Sequence, residues 1–334
     1  MASNAEIDEE RQSEMKSYGI SDFSSSSTIP TSRNKFDDLV PFSQLQKDGS
    51  ILIRDFATFI QAIGKVYYLA ANPQVRTGKV KEEFGDKQYR VFYRGQTILY
   101  GKNHNEMKPS AYRNGDRSKE VNASISAVLK LPPFNGLKIS REAIEGMIQQ
   151  YGGVSRWIDV VDNIWVALWF ACHRAWTASD IAETDKAKMH KHSSMCYVHY
   201  ERRVPELEKE DKRYAYVVLL GVEEKLELTS PGFYKSQRDE LLNLRQALPS
   251  QFIRPHAQHG WLVRRRKGSG YVKDLKDMIH GIIKIPLEIA LDWLGNSKAF
   301  LVDSIFPPPA FDTGWRDLMF RDEVAKQRVF LQRL

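Results

Sequence analysis

Arginine and glycine are poor neighbours in the middle of a core strand, yet Arg94 and Gly95 interrupt the run VFYRGQ at 91–96. A guanidinium offers five donors in a rigid fork, which suits a pyrophosphate or the edge of a ribose. Gly95 beside it lets a ligand or a neighbouring strand come close to the backbone. On that reading the strand lines a binding site. The other reading pairs Arg94 with a buried carboxylate such as Asp159 and makes Gly95 a bulge. Gln96 either bonds the same ligand or caps the strand edge.

Two further clusters have types and spacing suited to chemistry. In QQYGGVSRWID (149–159), Gly152 and Gly153 permit a tight turn and a close backbone. Ser155 and Arg156 then fall at or before the start of the next helix, where free N–H groups favour an anion. Tyr151 either stacks on a ligand ring or is a buried tyrosine with a bonded hydroxyl. Asp159 or Asp162 either caps that helix or orients Arg94 or Arg156. In RPHAQHGWLV (254–263), Gln258 enters a strand and can bond a ribose hydroxyl. His256 and His259 suit acid–base work near neutral pH. As a metal pair they lack a third ligand at fitting spacing, so no metal is expected. A P-loop, a dinucleotide glycine fingerprint and a Gly-x-Ser-x-Gly elbow do not occur.

These residues need elements to hold them. Residues 1–35 read as a flexible polar arm, and 36–88 as a helical segment packing on the core. Within it, 50–70 carries Phe56, Phe59, Ile60, Ile63, Val66 and Tyr67 on one helical face. Residues 89–96 alternate as a strand, and 114–133 read as a helix stopped by Pro132 and Pro133. Residues 139–153 read as a helix capped by Ser140 and ended by Gly152 and Gly153. VSRWIDVVD then reads as a short loop, followed by an apolar buried helix at 163–176. Its Trp165, Trp169, Phe170 and Trp176 are expected in the core, supporting the loop before it. Later segments at 195–202, 214–222, 260–266 and 280–286 read as strands. Helices at 286–295 and after the prolines of 307–309 close the chain. Helices first and strands later predict an α+β fold, a helical layer on a mixed or antiparallel sheet.

Bulk properties bound the function. The chain has 334 residues and a net charge of +7, which favours anionic partners such as nucleotides or nucleic acid. The basic runs RRRK (264–267) and KAKMHKH (186–192) read as loops without the interleaved aromatics that stack bases. Only two cysteines occur, Cys172 and Cys196, so a disulfide scaffold is excluded and a reducing cytoplasm is expected. The acidic start lacks an apolar signal region, and no apolar run approaches the ~20 residues of a membrane span.

FYRGQ (92–96), QxYGGxSRxxD within 149–159, the AQHG of 257–260 and the phenylalanine–proline stretch at 303–315 together resemble the FRG domain family. The resemblance spans roughly 90–320 and implies an FRG domain over 89–334. The order of parts is also similar to that of ADP-ribosyltransferases, with Arg94, Ser155 and Gln258 in the places of their three motif residues. The resemblance implies an ADP-ribosyltransferase-like fold that binds NAD. It implies transfer of ADP-ribose to a protein or nucleic acid, or hydrolysis of NAD, in a bacterial or phage toxin or defence setting. Arg94, Gly95, Gln96, Tyr151 and Arg156 would hold the nucleotide, and Ser155 and Gln258 would serve the chemistry. Gln258 stands where such transferases carry a glutamate, and a neutral amide gives less electrostatic help. A nucleotide- or nucleic-acid-binding sensor without turnover, or a structural interaction module, are the alternatives.

Overall fold

A computed structural model describes residues 50–314, apart from 78–80, 82–84, 102–105, 132–133, 135–137, 177–198, 297 and 308–310. The polar arm, the basic run at 186–192, Cys196 and the closing helix lie outside the described residues. In chain order the elements are β1 (Ile51–Leu52), α1 (Phe56–Ala71), β2 (Tyr89–Gln96), α2 (Ser110–Arg113), α3 (Ser118–Leu129), α4 (Arg141–Gln150), β3 (Ile158–Val161), α5 (Ile164–Cys172), β4 (His173–Trp176) and β5 (His199–Arg202). There follow β6 (Tyr214–Glu223), β7 (Glu227–Ser230), β8 (Phe233–Lys235), β9 (Asp239–Asn243), α6 (Leu244–Ala247), α7 (Ile253–Ala257), β10 (Gly260–Lys267), β11 (Gly270–Tyr271), β12 (Ile279–Pro286), α8 (Leu287–Trp293) and α9 (Val302–Ile305).

Among the described residues one large sheet runs β1-β12-β6-β2-β3-β10-β9-β8-β7, with β11 attached to β10. Its pairs are antiparallel except for the parallel pair of β1 and β12. The fold is therefore α+β with a mixed sheet. Strands β4 and β5 pair separately.

Two apolar clusters sandwich the sheet. Leu242 and Leu262 belong to one, and their neighbours Leu241, Trp261 and Val263 belong to the other. Alternate residues of a strand point to opposite faces, so the clusters lie on opposite sides. The first buries Val121, Ile125 and Val128 of α3 against Ile144, Met147 and Ile148 of α4. The second takes Met107 from a loop, and Leu275 and Met278 from the start and end of a short 3-10 turn before β12, as its cover.

Several expectations need correction. The segment read as a loop, VSRWIDVVD, contains β3, which pairs with β10 and touches β2. Its Ile158 and Val160 fill a core face, a pattern too short to stand out in a four-residue strand. The 163–176 helix stops at Cys172, and the chain extends from there as β4. Strand β1 precedes α1 in a stretch read wholly as helix, and the expected strand set missed β7 to β9. In α1 the buried stripe is Phe59, Ala62, Ile63 and Ala70, while Phe56, Ile60 and Tyr67 are exposed.

The RRRK run is not a loop. It ends β10, and two of its arginines are internal. Arg264 Nε donates to Glu240 at 2.6 Å and Nη1 to Glu145 at 3.1 Å, with the guanidinium over Trp157 and Tyr271. Arg265 donates to Asp239 at 2.7 and 3.2 Å. Much of this basic cluster is thus spent on buried carboxylates. No described helix is long and apolar enough to cross a membrane.

Candidate functional site

Strands β2 and β3 register at a single pair, Tyr93 with Val161, and then part. Arg94 stands at the fork. Its Nη1 donates to the carbonyl of Asp159 at 2.7 Å and lies 3.8 Å from the Asp159 carboxylate. Arg94 thus pairs with Asp159 and also lines a cavity, but Asp159 is half-exposed and not buried, and Gly95 is no bulge, since it pairs in register with Val217 of β6. The cavity measures about 410 Å³, within the range of small-molecule sites. Its mouth reaches solvent, since the Asp159 side chain is 47% exposed and Tyr100 is 50% exposed.

The reason for Gly95 lies on the opposite face of β2. A Cβ there would sit 1.8 Å from the Ala167 carbonyl oxygen and 2.8 Å from the Ala171 nitrogen, both backbone of α5. Gly95 does line the cavity, but what its missing side chain admits is a helix. That close crossing brings Phe170 of α5 and the following His173 to the cavity wall. Helix α5 can cross there because it is apolar nearly all round, and Asn163 starts it by accepting from Trp165 N at 2.9 Å.

Helix α4 supplies another wall. Ser140 caps its start, accepting from Ala143 N at 3.1 Å, as expected from the sequence. Gly152 ends it in the left-handed region at φ 92, which a side chain there would strain. The last turn presents Gln149 and Gln150, and Gln150 Nε2 donates to the Asp159 carboxylate at 2.9 Å. Gln258 reaches the cavity between α7 and β10, and Gln96 lines the cavity from the end of β2.

Tyr151, Ser155 and Arg156 do not line the cavity. Ser155 is fully buried. Its Oγ donates to Gln149 and accepts from Trp157 N, while its backbone is clasped by Ser110 and Ala111. This hydroxyl holds the turn after α4 and has no path to a substrate. The buried Tyr151 donates its hydroxyl to Asp312 at 2.8 Å and lies under the Arg254 guanidinium. Burial and the adjacent Asp312 charge push its pKa far up. Arg156 is taken by Glu145, through Nη2 at 2.6 Å and Nε at 3.1 Å. The three look chemically able in the sequence, and all are consumed by internal partners.

Arg113, His173, Tyr200 and Phe306 are wall residues that sequence reasoning missed. Phe170, placed in the core beforehand, also belongs to the wall, whereas Trp169 is core, with Nε1 donating to Phe300 O at 3.1 Å. Surrounding protein and then the like charge of Arg94 lower the proton affinity of Arg113. Burial holds His173 down to about 4 and pushes Tyr200 up to about 12. The chain matches no family model, curated protein or solved structure.

His256 and His259 do not line the cavity. His259 Nδ1 accepts from Arg245 Nη1 at 3.0 Å, and Arg245 Nη2 and Trp261 Nε1 both donate to Asp162. Among the described residues no three His, Cys, Asp or Glu side chains gather as metal ligands would.

Proposed function

We propose that the cavity at the β2–β3 fork binds a nucleotide of the NAD type and acts on its glycosidic bond. One observation carries this reading. The Nε–H of Arg94 is buried at the cavity with no hydrogen-bond partner among the described residues. A buried guanidinium N–H left unmade is costly, and an anionic oxygen is its natural acceptor. Arg113 adds a second positive charge in the same wall, and Tyr100, Tyr200, Phe170, Trp261 and Phe306 supply faces for a ring. The pattern fits phosphate at the arginines and a base against the aromatics. A cytoplasmic setting goes with the reading, where the buried, free Cys172 stays reduced.

Turnover asks for negative charge beside the anomeric carbon. Gln258 is neutral and Ser155 is sealed off, but Asp159 is the sole carboxylate among the described lining residues. As the C1′–N bond breaks, its electron pair leaves with nicotinamide and the sugar becomes cationic. The Asp159 carboxylate, steadied by Gln150, faces that charge until water or another acceptor adds.

Titration of NAD by calorimetry, with chromatography of released nicotinamide, tests both halves. Arg94→Lys is expected to weaken NAD binding by about 10- to 100-fold, since an amine cannot reproduce the fork. The melting temperature is expected to hold, because an ammonium still reaches the Asp159 carbonyl. A lower melting temperature with unchanged affinity would make Arg94 a scaffold residue and end the reading.

Asp159→Asn is expected to bind NAD with similar affinity and release nicotinamide about 100-fold more slowly. The neutral Gln258 favours a second reading, binding without turnover, and its mark is saturable NAD binding with no nicotinamide from the wild type. Affinity for RNA that falls steeply with salt while NAD fails to bind would move the function to nucleic acid.

A further inference from the structure

His173 begins β4 and lines the cavity, yet it is only 1% exposed. Its Nδ1 lies 2.7 Å from the carbonyl oxygen of Trp169. A carbonyl only accepts, so Nδ1 carries the ring proton. The ring lies against Trp169 at 4.0 Å between centroids and 16° between planes, which fixes its orientation. Nε2 at the far side of the ring is buried and has no partner among the described residues. Burial keeps the imidazole neutral near physiological pH. What remains is an unpartnered acceptor, fixed in direction, on a residue of the cavity wall.

Nε2 of His173 needs an O–H or N–H, and with phosphate at the arginines the ribose hydroxyls of the nucleotide are the O–H donors available to it. The other titratable or charged wall residues, Arg113, Asp159, Tyr93, Tyr100 and Tyr200, do not engage Nε2. We infer that His173 Nε2 accepts a hydrogen bond from a ribose hydroxyl of the bound nucleotide, so that the cavity selects ribose over deoxyribose. This rests on the nucleotide reading of the cavity. It adds a specificity residue on α5's C-terminal side, outside the three segments that the sequence singled out.

The test compares NAD with its 2′-deoxy and 3′-deoxy analogues on the nicotinamide ribose, by calorimetry on the full chain. Wild type is expected to prefer NAD over at least one deoxy analogue by about tenfold, the value of one hydrogen bond to a buried group. His173→Asn keeps a donor for the Trp169 carbonyl but cannot reach as Nε2 does. It is expected to bind NAD and that analogue alike. His173→Gln, whose amide oxygen extends to the Nε2 position, is expected to recover part of the preference.

A wild type that binds NAD and both analogues equally overturns the inference and leaves the nucleotide site standing. So does a His173→Asn variant that keeps the wild-type preference. A wild type that binds none of them overturns both. Nitrogen-15 NMR of the wild type, needing no variant, gives a separate reading: the unprotonated Nε2 resonance shifts upfield when NAD donates to it. A resonance that stays in place at saturating NAD also overturns the inference.

Discussion

Replacing Gly95 by alanine is expected to cost about 3 kcal/mol of stability or more, the upper range for overpacking a core. The added carbon would lie 1.8 Å from the Ala167 carbonyl oxygen. Ordinary contact begins near 3.5 Å, so α5 would have to withdraw by roughly 1.7 Å. The obstruction is helix backbone, which no rotamer can move. Thermal unfolding checks this, with a fall of about 6–12 °C expected. A variant that melts with the wild type would mean that α5 does not cross β2 as described. Because α5 leads directly into His173, a variant that survives is also expected to bind ligand more weakly.

The second large effect is Arg264→Met, expected to destabilise by about 3–5 kcal/mol, because removing one partner leaves a buried charge uncompensated. Glu240 is 3% exposed and Glu145 is 1% exposed, and both bond Arg264. Arg156 still serves Glu145, so Glu240 bears most of the loss; its next basic neighbour, Arg266, is 3.8 Å away. The double variant Arg264→Met with Glu240→Gln is expected to recover part of the stability, which urea unfolding of both proteins would read. If the double variant falls further than the single one, the damage lies in packing against Trp157 and Tyr271 and not in charge.

The two residues also mark how much the sequence could tell. Alternation and β-rich composition made β2, β6, β10 and β12 legible, and helical spacing with the Ser140 cap made α4 legible. Arg94, Gly95, Gln96 and Gln258 were placed at a site, and all four line the cavity. The meaning of Gly95 was hidden, because the helix it admits lies more than seventy residues on. The RRRK run looked like surface for a similar reason, since its carboxylates come from β9 and α4. Ser155 and Tyr151 have reactive side chains in a family-like motif, yet partners at Gln149 and Asp312 occupy them. Residue type reports what a side chain can do. Burial and partners decide whether it is left able to do it.

The order of strands has a consequence for how the chain is made. Ile51 pairs with Ile283, and β6, an interior strand of the sheet, must wait for β12 on one side. The segment YAYVVLLGV of β6 is buried almost throughout in the finished molecule and carries no charge. On a ribosome it emerges before that neighbour exists, an uncharged β-prone edge with nothing to cover it. Sheets closed by such distant pairings fold slowly. The edge of β6 that awaits β12 is thus an aggregation hazard during synthesis, one that closes only when the last strand of the sheet is made.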